Sequence, residues 1–95
     1  MNDFEFEWDE AKNNINLERH GIDFHRASLI FKSAVYEQVD DRFDYGEVRI
    51  VALGLVGLSV FRVVFTESTA GVIRIISAQK AERHEREIYY RQIYS

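Results

Sequence analysis

The chain has no cysteine, so neither a disulfide framework nor a thiolate metal site can form, and a reducing cytoplasm is its expected home. Proline is also absent, and no low-complexity run or internal repeat interrupts the sequence. No apolar run approaches the ~20 residues that a membrane span requires. The N-terminal Met1-Asn2-Asp3-Phe4-Glu5 is acidic where a signal peptide would be basic. There is no glycine-rich phosphate loop and no G-x-S-x-G elbow, which removes two common routes to nucleotide binding and serine catalysis. His20, His25 and His84 are too scattered for a metal site, and the acidic stretch from Asp40 to Gly46 lacks the ligand ladder of an EF-hand. No metal or other cofactor is therefore expected.

What is present is 95 residues with 46% hydrophobic content, enough for one domain spanning residues 1–95 around a small core. The net charge of −4 argues at first against a nucleic-acid partner. Its distribution is uneven. Residues 1–10 hold five acids and no base, and residues 37–47 hold five acids against Arg42 alone, so the remaining residues carry an excess of five positive charges. An acidic chain of this kind can still present a basic surface.

Phe4-Glu5-Phe6-Glu7-Trp8 alternates apolar and acidic residues, as a short edge strand does. Asp9 reads as the N-cap of a helix running to His20, and Gly21 as its C-terminal stop. Along that helix Lys12, Asn16 and Arg19 share one polar, partly basic face. Asp23 caps a second helix in which Phe24, Ala27, Ser28 and Phe31 form a buried stripe. A strand over Ser33 to Val39 and an acidic loop follow. Glu47 to Leu55, Leu58 to Thr66 and Val72 to Ala78 then read as three strands of an antiparallel meander. Both strand faces are apolar, so both need cover, and the first two helices are expected on one side. A last helix from Lys80 to about Tyr94 carries Glu82/Arg86 and Glu87/Arg91 at i,i+4 spacing, with Ile88, Tyr89 and Ile93 as its docking residues. The expected class is α+β, a small antiparallel sheet with two N-terminal helices on one face and a C-terminal helix.

Within the strand from Val72, strict alternation puts Val72, Arg74, Ile76 and Ala78 on one face and Ile73, Ile75 and Ser77 on the other. Arg74 then stands among aliphatic residues and needs either an acid of its own chain or an external anion. Arg49, between Val48 and Ile50, is a second arginine of this kind. On neighbouring strands the two could converge on one phosphate, and Lys80 at the strand-to-helix junction would add a third cation at the same end of the sheet.

Taken in order, Trp8, Asp9, Lys12, Asn16, Arg19-His20-Gly21, Phe24, Ala27 and Phe31, then Glu47, Arg49 and Gly54, and finally Arg74-Ile75-Ile76-Ser77-Ala78 with Lys80, Ala81, Glu85 and Tyr89, resemble the BrnT family of toxins. The resemblance spans about Phe6 to Tyr89. It implies a RelE-like ribonuclease fold, the toxin role in a type II toxin-antitoxin pair, and a BrnA antitoxin of ribbon-helix-helix type that neutralises the toxin and binds operator DNA. The family usually has arginine after Ser-Ala, where this chain has Gln79.

Metal-free RNA cleavage by the ribose 2′-hydroxyl needs a base, donors for the phosphorane charge and an acid for the leaving oxygen. Arg49 and Arg74 suit charge stabilisation, Lys80 and His20 proton transfer, and Glu47 the orientation of an arginine. Trp8, Lys12, Asn16, Arg19 and Arg83 are the candidate RNA-binding residues, with Trp8 better suited to anchoring the first helix than to stacking on a base. The competing reading is a module that binds antitoxin or RNA without turnover and acts as a transcriptional co-repressor.

Overall fold

The computed structural model describes residues 4–42, 44 and 46–95; the first three residues, Phe43 and Tyr45, which belong to the acidic start and the acidic loop, lie outside the described residues. In chain order the elements are β1 (Glu5–Glu7), α1 (Glu10–His20), α2 (Phe24–Ser28), a 3-10 turn (Leu29–Lys32), β2 (Tyr36–Asp40), β3 (Arg49–Val56), β4 (Ser59–Glu67), β5 (Val72–Lys80) and α3 (Arg83–Tyr94). Asp9 caps α1 by accepting the Lys12 N–H at 3.1 Å. Gly21 ends the helix at φ 71° and donates its N–H to Leu17 O, a backbone turn that glycine adopts without a Cβ clash. Asp23 caps α2 through the Arg26 N–H.

The five strands lie in the order β1-β5-β4-β3-β2. β3 to β5 form the expected antiparallel meander, and β2 extends it by pairing antiparallel with β3. β1, however, joins β5 in parallel, with Glu7 opposite Arg74, so the sheet is mixed rather than antiparallel. The reason is where the chain must go next: β1 hands directly into α1, and α1 has to lie over β5. A second correction follows. β3 and β5 are separated by β4, so Arg49 and Arg74 are not on neighbouring strands.

One face of the sheet packs Ala52, Phe61, Val63, Phe65, Ile73, Ile75 and Ala78 against Ile22, Phe24, Ala27 and Ile30 from the first helices and their connections. The other gathers Leu53 and Val60 under Ala81 and Tyr89 of the α3 segment. Burying apolar surface on both sides contributes about 25 cal/mol per Å², and it explains why the strands read as apolar on both faces. Gly54 lets the 3-10 turn approach β3 closely: a Cβ there would meet Ile30 Cβ at 2.7 Å and Val35 Cγ1 at 3.0 Å.

Strict alternation fails in β5. Phe65 pairs with Ile75 but Val64 with Ser77, which leaves Ile76 as a bulge. Beyond it Ala78 joins the face of Ile73 and Ile75, while Ser77 and Gln79 join that of Arg74. The strand also continues through Lys80, so α3 begins at Arg83 and not at Lys80. Glu82 is its N-cap in a reciprocal capping box with Glu85. With Glu82 so engaged, the ion pair on the outer face of α3 is Arg83–Glu87 at 3.3 Å, and Arg86 donates to Ala81 O at 2.9 Å, in place of the expected Glu82/Arg86 and Glu87/Arg91 pairs.

Candidate nuclease cleft

Five side chains form a row across the sheet on the face that α3 partly covers. Asp40 is opposite Arg49. Ile50 is opposite Phe65, which sets Arg49 level with Thr66, and Thr66 is opposite Arg74, itself opposite Glu7. Arg49 and Arg74 thus share one face and one level, two strands or about 10 Å apart. Each has an acidic neighbour. Arg74 donates to Glu7 Oε2 at 2.9 Å, with the two side chains 46% and 52% exposed, and Arg49 Nε reaches Glu47 Oε2 at 3.3 Å. Asp40 is buried and grips Arg42 through two bonds of 2.8 and 3.0 Å.

The row borders an open cleft of about 390 Å³ whose lining includes Glu7, Glu47, Thr66, Glu67, Ser68 and Arg74. Solvent-exposed ion pairs are worth under about 1 kcal/mol, so a phosphate entering this cleft can displace either carboxylate at small cost. Farther along the same face, a smaller nook of about 140 Å³ lies between α3 and the sheet, with Tyr36, Gln38, His84 and Glu85 among its walls. Beside it Arg62 Nε contacts Glu85 Oε2 at 3.0 Å in a largely buried pair, and Glu85 Oε1 also accepts the Glu82 N–H. Gln79 is directly opposite Arg62.

The proton-transfer candidates do not join the arginines. Lys80 is opposite Phe61, at the other end of β5 from Arg74 and on the other face of the sheet; six residues of strand separate them by about 20 Å. His20 is exposed in the last turn of α1. That turn lies toward the Lys80 end, because Asn16, one turn earlier, is tied to Ala78. Glu47 does sit beside Arg49, and it lines the cleft.

Asn16 is not available to RNA. It is 6% exposed, donates to Ile22 O at 2.9 Å and Ala78 O at 2.7 Å, and accepts the Ala78 N–H at 3.1 Å. Helical spacing correctly set it on the face of Lys12 and Arg19, but that stripe contains the contact with the sheet. Lys12 and Arg19 are exposed. Trp8 anchors: its ring meets Phe24 edge-on at 6.2 Å and its Nε1–H donates to Glu10 at 2.7 Å. Arg83 is exposed on α3 and paired with Glu87 at 3.3 Å.

Glu7 was missed as a site residue, although the alternation of residues 4–8 already put it on the polar face of β1. Its contact with Arg74 depends on a strand pairing across 67 residues of chain, which no local pattern records. Arg62 and Glu85 were missed as a pair for the same reason.

The family model described as ribonuclease toxin, BrnT, of type II toxin-antitoxin system matches residues 8–85. The fold is similar to the crystal structure of the Brucella abortus ribonuclease toxin BrnT, with a TM-score of 0.62 and 25% sequence identity over 85% of this chain and 100% of that one. No match was found among curated protein sequences. With the family model covering most of its length, the chain belongs to the BrnT toxin family of type II toxin-antitoxin systems.

Proposed function

We propose that this protein is a metal-independent endoribonuclease that cuts RNA at the Arg49/Arg74 row and so arrests translation and growth. The observation that carries the reading is the pairing of Arg74 with Glu7, and of Arg49 with Glu47, on one level of the sheet beside an open cleft. A phosphodiester over Thr66 would meet guanidinium donors that remain charged at any working pH and can bind phosphate oxygens in bidentate fashion. Displaced from their arginines, the carboxylates of Glu7 and Glu47 serve as acceptors for the 2′-hydroxyl proton in this reading. The arginines then stabilise the phosphorane, and water protonates the leaving 5′-oxygen. The ribose hydroxyl is assigned the attack because the carboxylates bordering the cleft can serve it as base while the arginines carry the phosphorane charge.

Family membership supports the rest of the reading. The protein acts in the cytoplasm as one RelE-like domain, and a BrnA-type ribbon-helix-helix antitoxin neutralises it. The complex binds operator DNA through the antitoxin and represses its own operon. Antitoxin dimers bridge two toxin chains, and sedimentation of the co-purified pair checks that assembly: a complex with a single toxin chain would refute it.

The test of catalysis is incubation of purified protein with total RNA. The wild type should generate new fragments, and Arg74→Ala should reduce the rate about 100- to 1,000-fold, the usual cost of one transition-state donor. Undiminished cleavage or growth arrest by a folded Arg74→Ala variant would remove the row from the mechanism. The alternative, a binding module without turnover, draws on the same ion pairs, since each arginine already has an acid beside it. It gives no fragments with any variant.

A further inference from the structure

The candidate cleft is poorly charged for holding a polyanion. Around Arg49 and Arg74 stand Glu7, Glu47 and Glu67, and the whole chain carries −4. Affinity for nucleic acid comes largely from cations that replace counterions on phosphates, so a ribonuclease built this way needs a cationic surface elsewhere. The outer face of α3 supplies one. Arg83, Arg86 and Arg91 face Glu87 alone across a broad open depression of about 700 Å³, with Tyr90 and Tyr94 beside them.

The two tyrosines are 43% and 62% exposed, with ring centroids 5.9 Å apart. The core takes only Tyr89 and Ile93 from this part of the helix. The Arg83 side chain is 87% exposed, and its 3.3 Å pair with Glu87 is of the weak surface kind. From Arg83 to Tyr94 the stripe runs about 16 Å along the helix. Arginines interleaved with exposed aromatic rings form the platform on which single strands lie, phosphates on the guanidinium groups and bases on the rings.

We infer that the outer face of α3 is a single-stranded RNA-binding surface, separate from the cleft, that holds the substrate while the Arg49/Arg74 row acts on it. The inference rests on the ribonuclease reading for its occupant: the cationic charge that the cleft lacks has to act on the same polyanion.

The test measures binding of a short labelled RNA whose 2′-hydroxyls are all methylated, so that it cannot be cut, across a range of salt concentrations. Arg83→Glu/Arg91→Glu should weaken binding at least about 10-fold and reduce the slope of log K against log salt by about 1.4, or 0.7 per lost phosphate contact. Tyr90→Ala/Tyr94→Ala should weaken it at least about 30-fold with little change in slope. Thermal melting verifies the fold of each variant; if charge reversal melts α3, Arg91→Ala in its exposed last turn replaces it, with about half the slope change. Wild-type affinity in both folded variants overturns the inference while leaving cleavage at the row intact. Conversely, a wild type that cuts no RNA, yet binds it through α3, sinks the nuclease reading and leaves this one standing. Variants that keep RNA affinity but no longer retain a co-expressed protein partner would assign the face to protein and overturn the inference.

Discussion

At the scale of single residues, one side chain that ties α1 to the sheet belongs to the polar, partly basic helix face. β1 ends at Glu7, opposite Arg74, so among the described residues the edge of β5 beyond that point has no strand beside it. Asn16 takes that place. Its amide accepts the Ala78 N–H and donates to the Ala78 carbonyl, as a neighbouring strand would, and its second donor bond ties Ile22 O into the same knot. Asn16→Ala should therefore leave a buried N–H and two carbonyls without partners and cost about 2–4 kcal/mol, read as a lower urea midpoint at constant slope. A change below about 0.5 kcal/mol, the range of ordinary surface substitutions, would show that water replaces the amide freely. Spacing showed which residues share a helix face. It could not show which of those faces meets the sheet, because an asparagine that closes a backbone edge and one that faces water have the same neighbours in sequence.

At the scale of elements, caps and strands were legible because their signals are local: Asp9, Gly21 and Asp23 each act within a few residues of themselves. The parallel pairing of β1 and the bulge at Ile76 were not, since both are settled by what lies across the sheet. α3 shows the same division. Tyr89 and Ile93 were legible as docking residues, whereas the attachment of α3 depends on distant partners: Glu85 on Arg62, and the Tyr89 hydroxyl donating to Ala34 O at 3.2 Å. Tyr89 is fully buried, and desolvation, then its hydrogen bond and charge interaction with Tyr94, pushes its hydroxyl pKa from 10.0 up to about 12. Between those values the unfolded chain releases the proton that the folded chain keeps. Stability is thus intact below pH 10 and falls as pH rises toward about 12. Tyr89→Phe should cost about 1 kcal/mol at neutral pH and flatten that alkaline decline, as followed by denaturant titrations at several pH values. An equally steep decline in the phenylalanine variant would assign it to other groups.

At the scale of the whole molecule, the three cations expected to meet at one point are divided: Arg49 and Arg74 share the open floor of the sheet, while Lys80 leaves at the far end of β5. A further set, Arg83, Arg86 and Arg91, lines the outside of α3. This dispersal bears on the chemistry. With Lys80 and His20 away from the row, the proton acceptors bordering the cleft are carboxylates, and the mechanism proposed above has them serve the ribose hydroxyl as nucleophile. Cleavage should consequently require that hydroxyl and no added cation. A substrate carrying one 2′-deoxynucleotide at the scissile position should resist cutting there, the all-ribose strand should be cut equally well in EDTA, and its fragments should end in 2′,3′-cyclic phosphate. If chelation abolished cutting and the deoxy substrate were cleaved, water would be the nucleophile. The row of paired arginines would then be a binding floor, and the acids near it, Glu7, Glu47 and Glu67, would have to be examined as ligands for a metal ion.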